Sequence, residues 1–242
     1  MTDEPVPNPE SPADQSAVQE APAPPAFPND TLPAELARHQ IALPQEQVGL
    51  LDRYVKLLWD WNAKLNLTRH TDYEKFVARD VDDTLQLAAL LHPDEEVLDV
   101  GSGGGVPGLV LAILRPDLQV SLCDSTGKKA RVLDAMVKEL GLKIPVHGVR
   151  VENVLIDQRY DALVVRAVGP LWELLTWFAP HWPSIDRVLV VKGPKWSDER
   201  GEARHRGLLH DLELRKAAEY PMPGTTSNSV VLKIWHKGRA ER

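Results

Sequence analysis

Val97-Leu98-Asp99-Val100-Gly101-Ser102-Gly103-Gly104-Gly105-Val106-Pro107-Gly108 decides how the chain reads. Val97 to Val100 form a short apolar run of the kind shown by parallel strands buried on both faces. The glycines behind it supply positive φ for a tight turn and remove the Cβ atoms that would keep a ligand from the backbone amides. Leu109, Val110, Ala112 and Ile113 then continue as a helix whose first amides point back at the turn. Strand, glycine turn and helix together make a nucleotide cradle.

The phase of the glycines selects the nucleotide. Gly103-x-Gly105-x-x-Gly108 matches the dinucleotide fingerprint literally, but that fingerprint begins directly behind the strand. Counted from Gly101, which stands there, its third glycine falls on Val106. Asp99-x-Gly101-x-Gly103-x-Gly105 fits instead and resembles the first motif of the S-adenosylmethionine-dependent methyltransferases. That resemblance implies that the acid and the glycine backbone hold the cofactor's methionine end. Leu118 to Cys123 reads as the next strand, and Asp124 stands at its end, 23 residues after Gly101. This is near the spacing of about 20 at which such folds set a carboxylate on ribose hydroxyls. A carboxylate accepts from both hydroxyls of a diol and repels a 2′-phosphate, which disfavours NADP. The other reading of Asp124 is a turn acid capping the helix from Lys128 to Leu140.

Composition bounds the rest. The 242 residues suffice for one domain of about 200 residues plus a tail, and 43% hydrophobic content suits a globular core. Cys123 is the single cysteine, so no disulfide framework and no cysteine zinc site is expected. No basic start precedes an apolar stretch and no run of about 18 apolar residues occurs, so the expectation is a cytoplasmic protein without membrane contact. Residues 1–30 hold six acids, no Lys or Arg and eight of the 20 prolines, the composition of a disordered arm. Outside that arm 29 acids face 28 Lys and Arg, so any nucleic-acid contact must come from local clusters rather than a global field.

Taken in order, Pro33 and Pro44 sit where helices start, and Val48, Leu51, Val55, Leu58 and Trp59 recur at helical spacing as far as Trp61-Asn62. Asn66-Leu67-Thr68 reads as a loop. Thr71-Asp72 offers a cap for a helix carrying Phe76, Val77, Val81, Leu85, Ala88 and Leu91. Residues 31–93 thus read as a helical cap, and 94–242 as an α/β domain. Beyond Asp124 the helix Lys128 to Leu140 ends at Gly141. Strands are expected at Ile144 to Val149, Tyr160 to Val165, Arg187 to Val191, His210 to Ala218 and Ser229 to Trp235, with a helix from Pro170 to Phe178. The sum is a mostly parallel seven-stranded sheet, Rossmann-like. Ligands bind outside the carboxyl ends of such strands, so Asp99, Asp124, Glu152 and Arg166 should converge there.

Several stretches together resemble one family, the bacterial small-subunit (16S) ribosomal RNA methyltransferase G proteins, also called glucose-inhibited division protein B. The match runs from about residue 44 to 236. It rests on Trp61-Asn62, Asn66-Leu67-Thr68, the segment Asp99 to Gly108 with Arg115-Pro116, Asp124-Ser125 with Gly127-Lys128-Lys129, Arg166-Ala167 and Lys192-Gly193. The resemblance implies a class I methyltransferase fold and methyl transfer from S-adenosylmethionine to N7 of a guanosine in 16S ribosomal RNA or the small ribosomal subunit. Carried over by position, Gly101 and Val106 touch the cofactor from a loop that also holds Gly103 and Gly105. Asp124 takes the ribose, Val151 and Glu152 flank the adenine, and Arg166 lines the pocket beside the methyl donor as the catalytic candidate. The chain departs from the family twice. Arg79-Asp80-Val81-Asp82-Asp83-Thr84 stands where Arg-His and then Asp-Ser are usual, and Ser227-Asn228-Ser229 where an Arg-His pair is usual.

Guanine N7 carries a lone pair and no proton, so its methylation needs alignment rather than a general base. The place after the fourth strand reads Arg166-Ala167-Val168-Gly169, without the Asn/Asp-Pro-Pro-aromatic loop of amino-group methyltransferases, and Cys123 lies inside a strand, not where a cysteine nucleophile would act. Candidate RNA contacts are Arg79, Lys128, Lys129, Lys192 and Lys195, with Trp196 as a stacking platform. Further basic clusters are Arg200, Arg204 and Arg206, and Lys233, Lys237 and Arg239. The rival readings are a small-molecule methyltransferase and a ribosome-assembly factor that binds RNA and cofactor without turnover. No metal is expected, and the chain reads as a monomer.

Overall fold

The computed structural model describes residues 30–239, so the arm read into residues 1–29 falls outside the described residues. The helical segment opens with α1 (Leu32–Arg38), whose Thr31 side chain accepts from Ala34 N, and α2 (Gln45–Asn62). Leu51, Tyr54, Val55 and Leu58 of α2 are fully buried along one stripe. Asn62 ends the helix by accepting from Leu67 N at 2.8 Å and Thr68 N at 3.0 Å, which shapes the Asn66-Leu67-Thr68 loop.

The helix expected after Thr71-Asp72 is three pieces in one. Asp72 caps α3 (Tyr73–Lys75), a π-helical turn follows at Phe76–Val81, and α4 (Asp82–Ala88) completes it. The wider π turn shifts the phase of the side chains, and Asp80 and Asp83 both end up 1% exposed.

Seven strands then form one sheet in the order β3-β2-β1-β4-β5-β7-β6. They are β1 (Glu96–Val100), β2 (Gln119–Cys123), β3 (Val146–His147), β4 (Tyr160–Arg166), β5 (Ile185–Lys192), β6 (Leu212–Pro221) and β7 (Asn228–His236). β1 to β5 are parallel, and β6 and β7 close the sheet as an antiparallel hairpin. The crossovers are α5 (Gly108–Leu114), α6 (Gly127–Glu139), α7 (Val151–Asp157) and α8 (Leu171–Phe178), with α9 (Trp196–His205) between β5 and β6. Alternate strand residues feed two cores. Val97, Leu122, Val164 and Leu189 pack against the helical segment, α5 and α6, whereas Leu98, Cys123, Val165 and Val190 pack against α7 and α8.

Two expectations change. The strand read over Ile144 to Val149 shrinks to two residues, because it lies at the sheet edge and Pro145 has no N–H to give the ladder. Residues 196–205 form a helix that the pattern concealed: only Ala203 of α9 is buried, so no apolar stripe marks it.

Candidate active site

The carboxyl ends of β1, β2 and β4 open on a cleft of about 290 Å³. Gly101, Asp124, Val151 and Glu152 line it, together with Lys129, Arg150, Val168 and Trp177. Gly101 follows β1 at φ +74, and a Cβ there would collide with Val168 Cγ2, so only glycine leaves this wall open. Asp124 is held by two backbone amides, Gly103 N at 2.9 Å and Thr126 N at 2.8 Å. Each of its oxygens keeps a lone pair, enough to accept a vicinal diol. Its bond to Thr126 N is local to the turn before α6, so Asp124 both shapes that turn and faces the cleft. Glu152 accepts from Arg150 Nε at 3.2 Å and Nη2 at 2.8 Å at the mouth.

Size alone does not identify this site. A hollow of about 570 Å³ lies at the opposite end of the strands, beside Glu96, Gln119, Lys143 and Tyr160. The glycine turn and the strand-end acids are absent from it, and ligands of open α/β sheets sit at the carboxyl ends.

Asp99 does not line the cleft. It is fully buried, with Oδ2 accepting from Gly108 N at 3.0 Å and Oδ1 lacking any partner among the described residues. A Cβ on Gly108 would lie 2.6 Å from Oδ2, so the glycine permits this close approach. Burial pushes the Asp99 carboxyl up to about 7, against the opposing pull of the Gly108 amide and the Arg166 charge. Gly103, Gly105 and Val106 shape the turn without lining the cleft: Gly103 N holds Asp124, and Val106 packs on the core.

Arg166 is not an open fork. Its Nη2 lies 2.6 Å from Asp80 Oδ1 and its Nε donates to Asp83 Oδ2 at 2.8 Å. Burial works against the cation, but the two carboxylates outweigh it and hold the Arg166 pKa above the usual arginine value. Asp80 also meets His70 Nδ1 at 2.8 Å, and Asp83 accepts from the Tyr220 hydroxyl at 2.7 Å. Burial and the Asp83 charge together raise the Tyr220 pKa. The sequence reading set Arg166 in the pocket as the catalytic candidate; here it is not among the residues that line the cleft, and Nη1 alone is left without a partner among the described residues.

Three candidate RNA contacts also change. Arg79 turns inward, donating to Ser229 Oγ at 3.3 Å with Nη2 3.7 Å from Asp83 Oδ2, because a buried carboxylate draws it. Lys192 is 9% exposed and spends its ammonium on Gly169 O at 2.8 Å and Glu199 Oε2 at 2.7 Å. Trp196 packs partly buried against the second core rather than standing free. Lys128 and Lys195 are exposed, and Lys129 sits on the cleft wall.

The sequence reading missed Arg150, Val168 and Trp177 as cleft residues. Arg150 is adjacent to Val151 and could have been found with it, whereas Trp177 reaches the cleft only through the packing of α8. The helical segment contributes as well: Tyr54 donates to Gly104 O at 3.0 Å, and Leu58 and Leu67 press on the same glycine. Among the described residues no group of three or more His, Cys, Asp or Glu could hold a metal ion, and no helix is long and apolar enough to cross a membrane.

Sheet order, glycine turn and the acid ending β2 define a class I methyltransferase. The family described as rRNA small subunit methyltransferase G matches residues 47–221, and the chain belongs to it. The Ribosomal RNA small subunit methyltransferase G of Rhodopirellula baltica is 54% identical over 178 residues, 73% of this chain and 77% of its own. That of Chlorobaculum tepidum is 38% identical over 207 residues, 82% of this chain and 94% of its own. Among solved structures, M. capricolum TrmK in complex with S-adenosyl-homocysteine gives a TM-score of 0.51 at 14% identity, over 66% of this chain and 70% of that one. MtNAS in complex with MTA and tNA gives 0.51 at 16%, over 77% and 73%. At these identities the likeness concerns the fold alone.

Proposed function

We propose that this protein transfers a methyl group from S-adenosylmethionine to N7 of a guanosine in 16S ribosomal RNA, as a monomer in the cytoplasm. The observation that carries the proposal is the cleft, where Gly101, Asp124, Val151 and Glu152 meet at the carboxyl ends of three adjacent parallel strands. The residues fit the cofactor: Asp124 has lone pairs to spare for a ribose diol, and the missing Cβ of Gly101 leaves room along the wall. When bound, S-adenosylmethionine supplies an electrophilic methyl group.

The chain's own residues bind and align. Asp124 holds the ribose, Val151 and Glu152 flank the adenine, and the Gly101–Gly105 turn carries the methionine end, with Asp99 fixing the turn against α5 from behind. Arg166, clamped by Asp80 and Asp83, acts as a positioning residue for the wall beside the methyl donor. No residue has to remove a proton, since N7 has none, and the rate gain comes from holding donor and acceptor in line. Lys129 on the cleft wall and the exposed Lys128 and Lys195 remain the candidates for phosphate contact. Residues 31–93 serve as a cap over the glycine turn and 94–242 as the cofactor-binding domain.

The test is transfer of a labelled methyl group from S-adenosylmethionine to purified small subunits lacking the modification, followed by mass mapping of the labelled nucleoside. Label at guanosine N7 of 16S RNA is expected. Label on another atom refutes the N7 assignment, and label only in a metabolite pool refutes the RNA substrate.

A further inference from the structure

A second concave surface lies at the far end of the sheet from the cleft. β7 runs antiparallel to β5, with Val188 opposite Ile234 and Lys192 opposite Val230, so Lys237 just beyond β7 sits near the amino ends of the parallel strands. There α9 and the start of β6 enclose a groove of about 520 Å³ that includes Arg200, Arg204, His210, Glu213 and Lys237. Leu209, Leu212 and Leu214 supply its apolar part.

The charges in this groove do not balance. Arg200 and Arg204 are four apart on α9 and share a face. Neither side chain has a hydrogen bond or ion pair among the described residues, and Arg200 Nε is shielded from solvent without an acceptor. Both guanidiniums therefore keep fork donors for an acceptor that arrives from outside. Lys237 donates to His210 O at 2.6 Å, which fixes its position without cancelling its charge. Glu213 is the one acid of the lining, against three permanent cations. By contrast Arg206, on the same helix, is already paired with Glu202 and stacked on Trp172. Because acids and bases outside the acidic arm nearly balance, this local excess is not a by-product of overall charge.

We infer that the groove between α9 and the β6–β7 hairpin binds the phosphodiester backbone of the RNA substrate, at a point remote from the methylated base. This rests on the proposed RNA substrate. Guanidinium forks match phosphate oxygens in pairs. β5 has eight residues, roughly 25 Å at about 3.3 Å each, so the Lys237 end of the groove lies about that far below the carboxyl-end level of the cleft. A substrate that reaches both is a folded RNA or a particle, not a short oligonucleotide around the target guanosine. The groove therefore adds affinity for the large substrate and leaves the chemistry untouched.

The test is the full chain carrying Arg200→Gln and Arg204→Gln. S-adenosylhomocysteine binding by calorimetry should be unchanged. Affinity for small subunits should fall on the order of tenfold at low salt, and the slope of log affinity against log salt should lose about 2. Methylation of saturating subunits and binding of a short target oligonucleotide should keep their wild-type values. Unchanged subunit affinity and salt slope in a variant that still binds S-adenosylhomocysteine overturn the inference, as does an equal loss for the short oligonucleotide. Should the double variant also lose S-adenosylhomocysteine binding, exposed Lys237→Gln decides, with an expected slope loss of about 1; no loss overturns the inference. Wild-type protein that transfers no methyl group to ribosomal RNA refutes the functional proposal, whereas a methylating wild type with indifferent variants refutes the groove alone.

Discussion

Replacing Asp99 by Asn isolates the charge of the most deeply buried acid in the fold. In the folded protein burial pushes Asp99 up to about 7, whereas in the unfolded chain an aspartate titrates near 3.9. Between those values the folded state keeps a proton that the unfolded chain has released. Stability from this group is therefore intact below about pH 4, falls as pH rises to about 7, and stays reduced above. About three units at about 1.4 kcal/mol each put the loss on the order of 4 kcal/mol. Asn keeps an oxygen for the Gly108 amide and carries no charge at any pH. Its buried NH2 group adds a constant cost of about 1 to 3 kcal/mol, so the offset between variant and wild type is not the test; its change with pH is. Urea unfolding of both proteins from about pH 4 to about pH 8 should show the difference shifting in the variant's favour by on the order of 4 kcal/mol. Parallel curves would mean that Asp99 is ionised in the native state throughout, and the reasoning from its burial would fail.

Gly101→Ala meets a left-handed φ and a collision with Val168, which together should cost about 2 to 4 kcal/mol in urea unfolding, and adding Val168→Ala should recover only the packing part. Full recovery would show that φ carries no strain. Asp124→Ala should weaken S-adenosylhomocysteine by about 1.5 to 3 kcal/mol in calorimetry, the usual size of hydrogen bonds to a charged group; unchanged affinity removes Asp124 from the site. Arg166→Met strips the partner from Asp80 and Asp83 and should cost about 3 to 5 kcal/mol of stability, with Arg166→Lys costing less because the charge stays. A Met variant as stable as wild type would show that the cluster contributes nothing to the fold.

What the sequence displayed was whatever depends on neighbours along the chain. The apolar run at Val97 to Val100, the glycine phase behind it and the acid after Cys123 are local signals, and they placed Gly101 and Asp124 at one cleft. Asp99 belonged to the same local pattern, yet its direction did not: whether a strand-end carboxylate faces a ligand or the next helix depends on Gly108, nine residues on, and on how tightly α5 packs. Arg166 was found as a strand-end residue, but its partners are 83 and 86 positions away, and no spacing rule links Asp80 or Asp83 to it. Lys192 failed for the same reason, since Glu199 faces it only once α9 forms, and α9 itself lacks the apolar stripe by which helices are recognised.

The two departures from the family pattern meet in space, and this changes what they mean. Asp80 holds Arg166 and His70, and Ser229 accepts from Arg79, so both unusual positions border one buried cluster. Two carboxylates, Asp80 and Asp83, there face two guanidiniums, Arg166 and Arg79, and the charges cancel. Asp80 Oδ1 also meets His70 on the loop, whose imidazole can donate to it, while Asp80 Oδ2 is buried without a partner among the described residues. This cluster ties the π-helical turn and the start of α4 to β4, to the end of β6 and to the start of β7. Swinging the helical segment away from the sheet would strip partners from buried charges, at about 3 to 5 kcal/mol for each broken pair, and would also break the Tyr54 contact with the glycine turn. The helical segment is thus a fixed wall of the site rather than a lid. The cofactor of the proposed function would then meet the cleft from the side lined by Lys129, Arg150 and Trp177.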